Sequence, residues 1–215
     1  MLIRRLSLLL AALAFSCGAA LAEQSPTIDT PADASEAAFV KAMQADLGKR
    51  FPTAADAVKA GYFRYTDPDD TGAISYANLQ WQSSDVHHPS QLWYDKAGNL
   101  LGADYSVLTT GDARPNVWGI QPGRFYQFGE HIHYVTKDPK TGAFGYDKAV
   151  GAAKFVAAGG DLKNPQAATL VKMQRVGSAS EVVRIFDFPS IWDLIVWVKP
   201  NPNGAFAEKN PLVKP

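Results

Sequence analysis

All four histidines of this chain stand in two short clusters, His87-His88 and His131-Ile132-His133. Imidazole is the commonest protein metal ligand and the side chain that titrates nearest neutrality, so paired histidines are the first place to look for chemistry. In an extended strand, residues two apart share a face, and His131 and His133 can therefore reach one common atom. His87 and His88 cannot both project the same way, and Pro89 biases His88 toward extended backbone. One of the two is expected to supply a third ligand. Asp85 shares parity with His87, and Glu130 adjoins the pair, so either is a candidate additional ligand or base. With an open position, such a set suits zinc, copper, nickel or iron. The only cysteine, Cys17, lies in the N-terminal segment, so thiolate sites are excluded from the body of the chain.

A second candidate is acidic. Asp67-Pro68-Asp69-Asp70-Thr71-Gly72-Ala73-Ile74 resembles the start of an EF-hand calcium loop, which implies Asp67, Asp69 and Thr71 as oxygen ligands and Gly72 at the sharp turn. Position twelve, where that motif carries a bidentate glutamate, is Asn78, so calcium is disfavoured and a turn begun by Asp67 and closed by Gly72 is expected. Asp187 and Asp193 are a carboxyl pair of the kind glycosidic chemistry uses. Neither a serine elbow, a phosphate-cradling loop nor a dinucleotide fingerprint occurs. The five tryptophans and their phenylalanine and tyrosine neighbours are expected mainly in the core, or else lining a pocket for a flat ligand.

The elements that must hold these groups can be read from periodicity. Asp33 with Glu36 forms a capping box ahead of Phe39, Met43 and Leu47, which predicts a helix over 34–48. Thr53 and Asp56 start a shorter helix that ends near Gly61. Leu92-Trp93-Tyr94, a turn over 96–99, and the alternating run 100–108 predict a hairpin. Residues 124–136 read as one strand with the histidine pair on its more polar side, facing a groove or solvent. Helices are expected over 147–158 and, with Asn164 as cap and Pro165 at the first position, over 165–175. Strands over 181–188 and 191–198 follow, the second apolar on both faces but for Asp193. The whole predicts an α+β fold: an antiparallel sheet of about five strands with helices packed on one face.

The N-terminus carries an address. Arg4-Arg5, an apolar run over 6–15 and Ala20-Leu21-Ala22 make residues 1–22 a cleavable export signal, which predicts a periplasmic or secreted protein. The segment around Cys17 also resembles a lipobox, and membrane anchoring through that cysteine is the alternative. Residues 23–32 read as a flexible leader, 33–199 as a single domain and 200–215 as an extended, turn-rich tail. Of 21 basic and 21 acidic residues, Arg4 and Arg5 fall in the signal, which leaves 19 against 21 and a net charge of −2. That balance demotes nucleic acid as a partner, and no later apolar run is long enough to span a bilayer.

Taken together, the residues point first to an exported binding protein that takes a small ligand or metal ion through the histidine cluster. A metal-dependent hydrolase or oxygenase using the same histidines, and an envelope structural or interaction module without metal, are the alternatives.

Overall fold

The computed structural model describes residues 30–82, 85–109, 111 and 113–214; the expected export signal, Cys17 and the expected leader as far as residue 29 lie outside them. Asp33 caps the first helix, α1 (Ala34–Arg50), accepting the Glu36 backbone N–H at 3.0 Å, while Glu36 reaches back to the Ala32 N–H at 2.8 Å. Thr53 caps α2 (Ala54–Lys59) in the same manner. Two short strands follow, β1 (Phe63–Arg64) and β2 (Ile74–Ala77), then the hairpin of β3 (Gln91–Tyr94) and β4 (Leu100–Leu108). Between these last two, Asp95 accepts the backbone N–H groups of Ala97 and Asn99, and Gly98 takes φ 84°, which closes the turn expected there.

The segment expected as one strand is two, β5 (Phe125–Phe128) and β6 (His131–Lys137), separated by Gly129-Glu130. The C-terminal pair, β8 (Val182–Phe188) and β9 (Ile191–Trp197), breaks at the matching place, Pro189-Ser190. Phe128 pairs with Ile191 on one side of the corner and His131 with Phe188 on the other. The four strands thus form a bent two-stranded ribbon, pinned where the Ser190 hydroxyl accepts the Glu130 N–H at 3.1 Å. Proline interrupts the ladder and two residues on each side make the bend.

The ribbon joins two antiparallel sheets. The larger has the order β1-β2-β3-β4-β9-β5, and the smaller is β7-β6-β8, with β7 spanning Phe144–Gly151. The class is α+β as expected, with nine strands in two sheets among the described residues. The helix predicted over 147–158 is corrected: pairing of His131 to Tyr134 with Lys148 to Gly151 holds that stretch in β7, and only α3 (Ala152–Ala157) is helical. Similarly, the predicted helix 165–175 contracts to α4 (Ala167–Lys172) with Gln166 as cap, and Gln174 leaves it in a left-handed conformation.

Each sheet has one face covered by helix. Leu92, Tyr94, Tyr105, Leu194 and Val196 pack under Val40, Leu47 and Phe51 of α1. Ile132, Tyr134 and Val150 pack under Phe155 and Leu170 of α3 and α4. The opposite faces of the two sheets turn toward each other, joined by Tyr65, Ala77, Val135, Phe186, Phe188 and Ile191. The tail is turn-rich, as predicted, and inserts Phe206 and Val213 into the cores on the two sides of the larger sheet. Thr30 and Ala32, at the end of the expected leader, are tied down by hydrogen bonds to Arg124 and Glu36. Among the described residues, no helix is long and apolar enough to cross a membrane.

Candidate functional site

Between the facing sheets is a cavity of about 240 Å³, room for about eight waters at ~30 Å³ each. The larger sheet contributes Gln91 and Trp93 from β3, Asp104 from β4 and Asp193 from β9; the smaller contributes His131, His133 and Phe188. Phe128 closes the corner, and Tyr65, Ser75 and Asp69 come from the β1 and β2 region. None of these lining residues is a lysine or arginine.

Strand register explains the juxtaposition. Cross-strand partners share a face, and Gln91 pairs with Asp104, Asp104 with Ile195, and Ser106 with Asp193, so all lie on the side away from α1. Asp104 and Asp193 are 6% and 1% exposed. Trp93 Nε1 donates to Asp104 Oδ2 at 3.0 Å; Asp104 Oδ1 has no hydrogen-bond partner among the described residues. Asp193 Oδ1 lies 2.5 Å from Ser106 Oγ, and Asp193 Oδ2 receives only a long 3.5 Å bond from Gln91, whose Oε1 in turn accepts from the Tyr65 hydroxyl.

Burial pushes the Asp193 carboxyl up to about 7, with the Ser106 hydrogen bond opposing it. Burial and the neighbouring Asp193 charge push Asp104 well above the usual carboxylate range. Proton counting agrees with a protonated Asp193. Ser106 Oγ is 2.6 Å from Ser90 Oγ, which donates to the Asp104 carbonyl at 3.2 Å. Ser106 has one hydroxyl proton. If it donates to an ionised Asp193, Ser90 must turn its hydroxyl to Ser106 and the Asp104 carbonyl keeps only the Ser90 backbone N–H at 2.9 Å. If Asp193 carries the proton, donation runs from Asp193 to Ser106 to Ser90 to the carbonyl with each contact paired.

The histidine pair faces this cavity, on the polar side of its strand. His131 Nδ1 lies 2.6 Å from the Gly129 carbonyl, which can only accept, so Nδ1 bears the proton. The two Nε2 atoms are 2.9 Å apart, and His133 is therefore the donor between them. A further proton on His131 Nε2 would set two N–H groups head to head, whereas His133 Nδ1 is buried with no hydrogen-bond partner among the described residues. Burial, reinforced by His131, lowers His133 to about 3, and burial also lowers His131. Tyr65 meets the His133 ring edge-on at 4.8 Å, while Phe186 and Phe188 stack on His133 and His131.

No family model, curated protein or solved structure matches this chain. The site must be read from its own chemistry.

The other predicted candidates lie elsewhere. His88 bonds Asp85 at 2.7 Å and stacks on Trp81 at 3.9 Å, while the His87 carbonyl accepts from Arg50 at 2.6 Å. Neither histidine, nor Asp85, lines the cavity. Glu130 is exposed at the ribbon corner, where its charge adds to burial in raising Asp187 to about 6. In the acidic loop, Asp69 Oδ1 is occupied by Thr71 N, Thr71 Oγ1 and Ala73 N at 2.6–3.1 Å, and Asp67 pairs with Arg64 at 3.0 Å. Gly72 takes φ 80°, which makes the loop the turn expected as the alternative to a calcium site. Among the described residues, no group of three or more His, Cys, Asp or Glu could hold a metal ion.

Asp187 and Asp193 do not form the pair considered from sequence. Asp187 faces away from the cavity, beside Gln82 and Leu162; the acid that couples to Asp193 is Asp104. Sequence reading missed Asp104, although a signal existed: Gly102, Asp104 and Ser106 form the polar parity of a strand whose other parity is apolar.

Proposed function

We propose that this is an exported binding protein for a small cation, received in the cavity between the two sheets. The observation that carries the reading is the pair of buried carboxyls, Asp104 and Asp193, in a cavity without a cationic side chain. Buried charges are ordinarily paired, and an acid without a partner stays protonated at a cost in pH range and stability. A cationic ligand supplies the missing partner and lets the carboxyl ionise. The cavity is smaller than a drug-sized pocket, which favours a small ligand. Export rests on the pattern in residues 1–22, and N-terminal sequencing of the mature protein tests it.

Native mass spectrometry of protein purified without chelator, followed by identification of whatever is released on denaturation, tests the binding. One cation per chain, lost in an Asp104→Asn/Asp193→Asn variant, is the expected outcome. A neutral or anionic ligand, or a cation whose retention is indifferent to that variant, refutes it.

A second reading, a transition metal held by His131 and His133, is favoured by the convergence of their Nε2 atoms. Two bonds of ~2.05 Å at a tetrahedral angle set their nitrogens ~3.3 Å apart, so a small spreading of the pair and a shift of the His133 proton to Nδ1 would admit zinc, copper, nickel or iron. Metal content measured by mass spectrometry, beside a His131→Ala/His133→Ala variant, decides it.

A further inference from the structure

Resting on the cation-binding reading, we infer that the ligand is a protonated primary amine, its ammonium head against Asp104 and Asp193 and its carbon chain along Phe128 and Phe188 toward the mouth at Asp69. An ammonium group presents three N–H donors and no acceptor. The cavity offers matching acceptors: Asp104 Oδ1, which has no partner among the described residues, and Asp193 Oδ2, whose sole bond is the 3.5 Å contact from Gln91. Asp104 is itself more than nine-tenths buried and lines the cavity.

Three further observations favour an amine over a bare metal ion. The two converging Nε2 atoms are committed to each other and His131 Nδ1 to the Gly129 carbonyl, which leaves only His133 Nδ1, buried and without a hydrogen-bond partner among the described residues. Both imidazoles are held neutral by burial, so they do not repel a cation. Beside Ser75 and Gln91, the remaining wall is formed by Tyr65, Trp93, Phe128 and Phe188, and ring faces attract an ammonium while burying the methylenes beside it. Asp69, exposed at the rim, adds negative charge where the ligand enters.

The titratable groups facing the ligand are Asp104, Asp193, Asp69, His131, His133 and Tyr65; burial raises both Asp104 and Asp193, and Asp193, at about 7, changes charge near neutrality. Ammonium binding should therefore expel a proton from Asp193. Isothermal titration calorimetry of the full exported chain with primary amines from methylamine to hexylamine, each beside its alcohol, measures this. The expected result is one amine per chain, no binding of the matched alcohols, up to one proton released near pH 7 as read from buffers of different ionisation enthalpy, and affinity that falls about tenfold per pH unit below 7. Asp193→Asn and, separately, Asp104→Asn should each weaken binding at least tenfold, with circular dichroism melts establishing that each variant is folded. Equal binding of alcohol and amine, no proton release, or unchanged affinity in both folded variants overturns the inference. Zinc binding without amine binding would overturn it while leaving the cation reading intact; binding of neither would end both.

Discussion

The two faces of the larger sheet each bury acid, and they treat it differently. On the α1 side, Glu36 is fully buried and accepts from Ala32 N, Gln121 N and both Nε and Nη2 of Arg124, itself 1% exposed and 4.7 Å over the Phe206 ring. Burial alone would push that carboxyl up; Arg124 and the two backbone donors outweigh it and hold Glu36 below its usual range. On the cavity side, Asp104 and Asp193 have neutral hydrogen-bond partners and each other, and both shift upward. In the first arrangement the acid meets its opposite charge and all its oxygens are paired, although Arg124 Nη1 is buried without a hydrogen-bond partner among the described residues. The second lacks a positive charge among its lining residues, and the cation-binding proposal rests on that lack rather than on burial alone.

The sharpest way to break the comparison is to make Glu36 resemble Asp104. Arg124→Met should cost about 3–5 kcal/mol in urea unfolding, because one partner of a buried pair is left charged and alone; Glu36→Gln/Arg124→Met should recover much of that loss. A loss under about 1 kcal/mol in the single variant would mean that the pair is not the anchor the geometry describes.

Asp193→Asn should move in the opposite sense. The folded carboxyl keeps its proton to about pH 7 while the unfolded one loses it near 3.8, so the folded state binds more protons between those values and stability declines as pH rises from about 4 to 7. Removing the charge should flatten that decline and stabilise the apo protein at pH 8, by at most roughly 4 kcal/mol. Melts of wild type and variant across pH 4–8 that run parallel would refute this.

His133 has the reverse linkage. Its folded value near 3 lies below the unfolded 6.5, so the unfolded chain takes up the proton first and stability is lost as pH falls from about 6.5 to 3. At pH 5, His133→Gln should recover about 2 kcal/mol of that loss, with little change at pH 8; a gain that is the same at both pH values would place the effect in packing. The smallest expected effect is at the α1 cap: Asp33→Ala should cost roughly 1 kcal/mol, independent of any cavity ligand.

Much of this was readable in advance where local rules and tertiary pairing agree. The Asp33 to Glu36 capping box, the β3–β4 hairpin with its turn at Gly98, and the β8 and β9 runs all lie where periodicity puts them. The misreadings are places where a partner strand decides. Residues 147–151 have a helix-compatible pattern and are strand because β6 pairs with them. The corner at Gly129-Glu130 also defeats parity reasoning: Phe128 and His131, an odd step apart, both line the cavity because two residues are spent in the bend. The His131 and His133 spacing was visible. Asp104 stood on the visible polar parity of β4 but was not singled out, because a polar strand face looks the same in sequence whether it meets water or the inner face of another sheet.

The bent ribbon also bears on how the protein folds. Ser106 and Asp193 touch although 87 positions separate them, and β5 and β6 must wait for β8 and β9 before either sheet is complete. Such pairings close large loops before contacts repay them, which is the topology of slow folders. The helix-side hairpins can form first, from neighbours in sequence. Because β9 lies between β4 and β5, Asp193 can meet Asp104 and the imidazoles only once the last strand in the sequence has paired, so the cavity's chemistry depends on the chain's most distant contacts.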